Sequence, residues 1–122
     1  MLKLMKLILQ TLLLLMTWKF AYASEKYNLV YVGEQGCFYC EIWDEEIAHI
    51  YPKTSEGQFA PLIRLDITNY HNFMALIDPI IFTPTFVLID SSKEISRIEG
   101  YIGDDLFWGM LEVMLKRETN YK

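Results

Sequence analysis

Gly33-Glu34-Gln35-Gly36-Cys37-Phe38-Tyr39-Cys40 joins a strand-like run, Tyr27–Val32, to an amphipathic helical pattern, Glu41–Tyr51. Cys37 and Cys40 are the only cysteines in the 122-residue chain. Two thiols at this spacing on a helix N-terminus can close into a disulfide and open again. The helix dipole and the free N–H groups of the first turn favour a thiolate on Cys37, and a thiolate is the species that attacks a disulfide. The pattern therefore points to thiol–disulfide exchange. A zinc site normally takes four ligands, and the remaining soft ligands, His49 and His71, form neither an H-x-x-x-H nor a second C-x-x-C pair. A purely structural bridge closing so small a loop would restrict the unfolded chain only weakly.

The N-terminus has the pattern of a targeting segment: Lys3 and Lys6, then an apolar run from Leu7 to Met16, then a small-x-small site at Ala21-Tyr22-Ala23. Cleavage before Ser24 is expected, leaving residues 24–122 as a single domain. A retained membrane anchor is the alternative, but the run is well short of the roughly twenty apolar residues that span a bilayer. Export places the chain in an oxidising compartment, the periplasm, where a reduced pair needs an electron source across the membrane. The chain carries 11 Lys+Arg and 16 Asp+Glu, and loss of residues 1–23 removes three lysines and no acid, leaving a formal charge of −8. That balance argues against nucleic acid and anionic membrane surfaces as partners.

Beyond the cysteines, hydrophobic periodicity predicts a helix from about Cys37 to Tyr51 with Ile42, Trp43, Ile47 and Ile50 inward, then a loop over Pro52–Pro61. A strand is expected at Leu62–Asp66, a short helix at Tyr70–Ile77, and strands at Pro84–Ile89 and Ile95–Glu99 joined by a tight Asp90–Lys93 hairpin. A last helix, capped by Asp104 and reaching Arg117, turns Phe107, Met110, Leu111 and Met114 inward. The order β-α-β-α-β-β-α gives a mixed four-stranded sheet with helices on both faces.

Thr83-Pro84 stands directly before the third strand, where a proline is tolerated and a cis bond makes a sharp entry. With Cys37–Cys40 after strand one, Thr83-Pro84-Thr85-Phe86 before strand three and Gly100 after strand four, the chain resembles the thioredoxin family over about residues 27–117. The resemblance implies a thioredoxin-like α/β fold in which Pro84 is cis beside the cysteine pair, and Thr83 presents backbone groups to a bound partner segment. More narrowly, Glu56-Gly57, Ala60-Pro61-Leu62, Arg64, Asp66, Arg97-Ile98, Gly100-Tyr101 and Phe107-Trp108 resemble the exported thioredoxin-like proteins of bacterial sulfur-oxidation systems. Those are implied to be reductases that keep exported partner cysteines free, drawing electrons from a membrane thiol transporter. Thioredoxins carry a buried carboxylate six residues before the first cysteine. Tyr31 occupies that position here, with Glu34 and Glu41 as nearby acids.

The expected site is thus Cys37 as nucleophile and Cys40 as resolving thiol, with Thr83, Pro84, Phe38, Tyr39 and Gly100 around the partner. Tyr39 and Tyr101 are candidates for an aromatic rim. No metal or organic cofactor is called for, and a monomer is expected. A disulfide-forming oxidant, a reductant for cytochrome c maturation and a non-catalytic peptide-binding module stand as alternatives.

Overall fold

The computed structural model describes residues 1–17, 26–73 and 78–122. A first helix, α1 (Leu2–Thr17), is followed by β1 (Tyr27–Gly33), α2 (Phe38–Trp43), α3 (Ser55–Phe59), β2 (Leu62–Asp66), β3 (Thr85–Asp90), β4 (Lys93–Glu99) and α4 (Asp104–Glu118). The expected cleavage point at Ala23 and Ser24 lies outside the described residues. Among the described residues no helix is long and apolar enough to cross a membrane.

β1 lies inside a sheet of order β2-β1-β3-β4. It pairs parallel with β2, from Leu29 opposite Leu62 to Gly33 opposite Asp66, and antiparallel with β3. β3 and β4 form the expected antiparallel hairpin, with a register shift at Leu88/Ile89. Ser91 and Ser92 make its turn with φ of 50° and 72°, the left-handed pair that a two-residue hairpin requires.

Strand alternation divides the core between two faces. On one face Leu29, Tyr31, Phe86, Leu88 and Ile98 meet Trp43, Ile47 and Tyr51 and the α4 residues Phe107, Leu111, Met114 and Leu115. On the other, Val30, Val32, Val87 and Ile89 meet Ile80, with Ile63, Leu65, Ile67 and Tyr70 packed against them. There the Ile80 N–H donates to the Tyr70 hydroxyl at 3.0 Å. Arg97 ties this segment to β4. It donates to both oxygens of the buried Glu94 carboxylate and to the carbonyls of Asp78 and Pro79 at 2.8 and 3.3 Å.

Several elements depart from expectation. The helix predicted over Cys37–Tyr51 is not uniform: α2 runs into a π-helical stretch, Asp44–Ala48, and then a 3-10 turn, Tyr51–Lys53. The wider π turn rotates the inner stripe, so Trp43 and Ile47 are fully buried while Ile50 is 42% exposed. The Pro52–Pro61 loop contains α3, capped by Thr54, whose hydroxyl oxygen accepts the Gly57 N–H at 3.0 Å. Gly57 is required by close approach, because a Cβ there would collide with the Tyr51 carbonyl. Of the Tyr70–Ile77 helix, Tyr70–Asn72 is a 3-10 turn and residues 74–77 lie outside the described set. In α4 the cap position falls on Gly103 rather than Asp104. Met110 is exposed and Leu115 is buried in its stead, because 107, 111, 114 and 115 follow the helical period more closely.

Candidate functional site

The site forms where β1 ends. Gly36, at φ 78°, turns the chain into Cys37. Cys37 is the extended N-cap residue of α2, and its sulfur accepts the Cys40 N–H at 3.2 Å. That bond places a donor on the sulfur and favours its thiolate once the pair is reduced. Cys37 and Cys40 are joined in a disulfide with Cα atoms 5.2 Å apart. Cys40 is buried at 4% exposure, whereas Cys37 is half-buried.

Thr83–Pro84 is a cis peptide bond. The Thr83 carbonyl oxygen lies 3.3 Å from Cys37 Sγ, within reach of a hydrogen bond from the reduced thiol. Gly100, at φ 84°, donates its N–H to the Pro84 carbonyl at 2.8 Å. The structure therefore brings Cys37, Cys40, Thr83, Pro84 and Gly100 together, with Phe38 and Tyr39 exposed at the rim and in edge-to-face contact. Tyr101 does not join that rim. Its ring packs against Phe107, its hydroxyl donates to Glu46, and it is 4% exposed. Instead Ile81, Phe82 and Ile102 are largely exposed on the segments that carry Thr83 and Gly100. They were not expected; the one sequence signal was an apolar Ile80-Ile81-Phe82 triplet fitting no helix or strand period.

Behind Cys40 a cleft of about 410 Å³ is walled by Tyr31, Gly33, Glu34, Gln35, Cys40, Glu41, Asp44, Arg64 and Asp66, among others. The Tyr31 ring stacks on Trp43 at 4.9 Å, and the Arg64 guanidinium lies over it at 4.5 Å. Arg64 is in turn paired with Asp44 at 2.7 Å. Burial, with the nearby Asp44, holds the Tyr31 hydroxyl above its ordinary pKa. Two bonds from Thr68 hold Asp66 below the usual carboxylate range. Trp43 Nε1 is buried without a hydrogen-bond partner among the described residues. His49 and His71 are exposed. Among the described residues no group of three or more His, Cys, Asp or Glu side chains is placed to hold a metal.

A disulfide with one accessible and one buried sulfur, beside a cis-proline on a mixed four-stranded sheet, defines a dithiol–disulfide exchanger with a thioredoxin-like fold. No protein-family model matches the sequence, and no curated protein does. Among solved structures, the periplasmic thioredoxin SoxS from Paracoccus pantotrophus is 42% identical, with a TM-score of 0.71 over 75% of this chain and 97% of that one. Two others share the fold alone. A thioredoxin-fold protein from Helicobacter pylori is 22% identical, with a TM-score of 0.58 over 80% of this chain and 74% of its own. The thioredoxin NaTrxh from Nicotiana alata is 16% identical, with a TM-score of 0.55 over 80% and 77%. The chain belongs to the thioredoxin family, and with Cys37 and Cys40 intact it is a thiol–disulfide oxidoreductase.

Proposed function

We propose that the protein is an exported reductase that keeps the cysteines of periplasmic partner proteins reduced, including those of a sulfur-oxidation system. The observation that carries this reading is the 42% identity to a periplasmic thioredoxin along nearly all of that protein's length. The leader-like pattern of residues 1–23 agrees with export.

In this reading the Cys37 thiolate attacks one sulfur of the partner's disulfide. A Cys37–partner bond forms, the partner's S–S bond breaks, and one partner thiolate leaves. The Cys40 thiolate then attacks Cys37 Sγ, forming the intramolecular disulfide and releasing the second partner thiolate. The partner gains two electrons and the Cys37–Cys40 pair loses them. A dithiol donor, supplied from a membrane thiol transporter, restores the pair by the same chemistry in reverse. The half-exposed Cys37 suits the attacking role and the buried Cys40 the resolving one. Thr83, Pro84 and Gly100 supply the ledge, and the exposed Phe38, Tyr39, Ile81, Phe82 and Ile102 supply an apolar rim for a partner segment.

Equilibration against glutathione buffers tests the direction of electron flow. A reductase should have a potential nearer ~−270 mV than the ~−120 mV of a strong oxidant. A potential above roughly −150 mV, with a mainly oxidised pool in cells, overturns the reading in favour of disulfide formation. A Cys40→Ser variant should accumulate mixed disulfides on Cys37, and their protein component identifies the partner.

A further inference from the structure

Cys40 needs to be a thiolate whichever way electrons flow. It is the nucleophile when a partner is released, and the leaving group when a donor thiolate attacks Cys37. Yet it is only 4% exposed, and a buried charge without a partner is costly.

The cleft behind Cys40 shows what could meet that charge. Its ionisable walls come from four elements: Tyr31 on β1, Glu34 on the following turn, Glu41 and Asp44 on the helix, and Arg64 and Asp66 on β2. The ionised carboxylates accept hydrogen bonds but cannot donate them, and they repel a thiolate. Arg64 is already engaged by Asp44 at 2.7 Å. Gln35 is exposed on the turn. Tyr31 is the buried neutral donor among these groups, at 5% exposure.

The Tyr31 side chain is also fixed in place. Trp43 stacks on its ring at 4.9 Å, Phe86 packs at 5.8 Å, and Arg64 covers it. Its hydroxyl extends over Gly33, where a methyl group would fall 2.5 Å from the hydroxyl oxygen. The missing side chain at Gly33 therefore keeps open the space the hydroxyl occupies, at the end of β1 that leads into the cysteine turn. Raised by burial, Tyr31 keeps its proton throughout the neutral range.

We propose that the Tyr31 hydroxyl is the hydrogen-bond donor to the Cys40 thiolate during exchange. The Cys40 proton leaves to solvent through the cleft before attack. Tyr31 retains its own proton, and the thiolate electron pair forms the new bond to Cys37 Sγ as the Cys37–partner bond breaks. The proposal rests on the exchange chemistry of the pair and holds for either direction of electron flow.

Mixing the reduced full-length chain with an equimolar amount of 5,5′-dithiobis(2-nitrobenzoate) tests it. The reagent releases one coloured thiolate when Cys37 attacks and a second when Cys40 resolves the mixed disulfide. Tyr31→Phe keeps the ring stack and removes only the hydroxyl. Losing a hydrogen bond to a charged acceptor should lower the Cys40 thiolate fraction at pH 7 about tenfold to a hundredfold. The more basic thiolate is intrinsically more reactive, which offsets about half of this on a logarithmic scale. The second release should therefore slow about three- to tenfold and its pH midpoint should rise, with the first release unchanged. A second release with unaltered rate and midpoint overturns the proposal. So does equal slowing of both releases, which places the effect in the fold. Failure of the wild-type chain to give the first release would instead overturn the exchange chemistry itself.

Discussion

Arg97→Met tests the tie between β4 and the segment that leads into Thr83-Pro84. The side chains of Arg97 and Glu94 are only 15% and 4% exposed. The guanidinium grips the carboxylate with Nε and Nη2 while also holding the carbonyls of Asp78 and Pro79. Methionine preserves most of the apolar stem but takes the Arg97 cation away from the buried Glu94 carboxylate. Removing one partner of a buried pair costs about 3–5 kcal/mol, a large share of the roughly 5–15 kcal/mol that holds a domain together. Urea unfolding of the oxidised protein should show that loss as a lowered midpoint with an unchanged slope. Glu94→Leu combined with Arg97→Met removes both charges and should recover most of the loss, since apolar replacement of a buried pair is often neutral. A single variant within about 1 kcal/mol of wild type, or a double variant no more stable than the single, would refute the reasoning.

Three further outcomes are expected. In the reduced protein at mildly acidic pH, Cys37 should be alkylated faster than Cys40, as read by mass spectrometry after partial labelling; equal labelling would remove the distinction between attacking and resolving thiols. Gly57→Ala should destabilise by about 1–3 kcal/mol in thermal unfolding, because the added methyl meets the Tyr51 carbonyl and the backbone has to shift; an unchanged melting temperature would show that the shift is free. Tyr51 donates to the Ala60 carbonyl, and burial raises its hydroxyl far above the ordinary tyrosine range. Its folded form therefore holds a proton that the unfolded chain releases near pH ~10. The stability this contributes is complete below that pH and is lost as pH rises beyond it. Ultraviolet titration should find Tyr51 ionising only together with alkaline unfolding.

The chemistry was more legible in the sequence than the packing. Cys37, Cys40, Pro84 and Gly100 stood out because each does something that few other residues can, and the topology brings all four together. The short β-branched and aromatic run Tyr27–Val32 likewise marked β1 before any contact was known. The misses have a common physical origin in long-range geometry. Pro52–Pro61 looked like a loop on its Pro, Ser and Gly content, but Gly57 is there for the approach of the Tyr51 carbonyl. Met110 and Leu115 exchange places through a small rotation of α4. The direction of the Tyr101 ring is set by Phe107 and Glu46, beyond the end of the strand pattern. Arg64 reaches the Tyr31 ring because the parallel pairing of β1 and β2 sets these two residues opposite each other.

Trp43 is placed to report optically on the state of the Cys37–Cys40 pair. Its indole is fully buried, stacked on Tyr31, and one helical turn from Cys40 in the same core. A disulfide accepts electrons from an excited indole, so Trp43 emission is expected to rise when the Cys37–Cys40 bond is reduced. Turnover should therefore be readable in unlabelled protein as a change in emission, and emission unaltered by reduction would show that the Cys37–Cys40 bond does not reach Trp43.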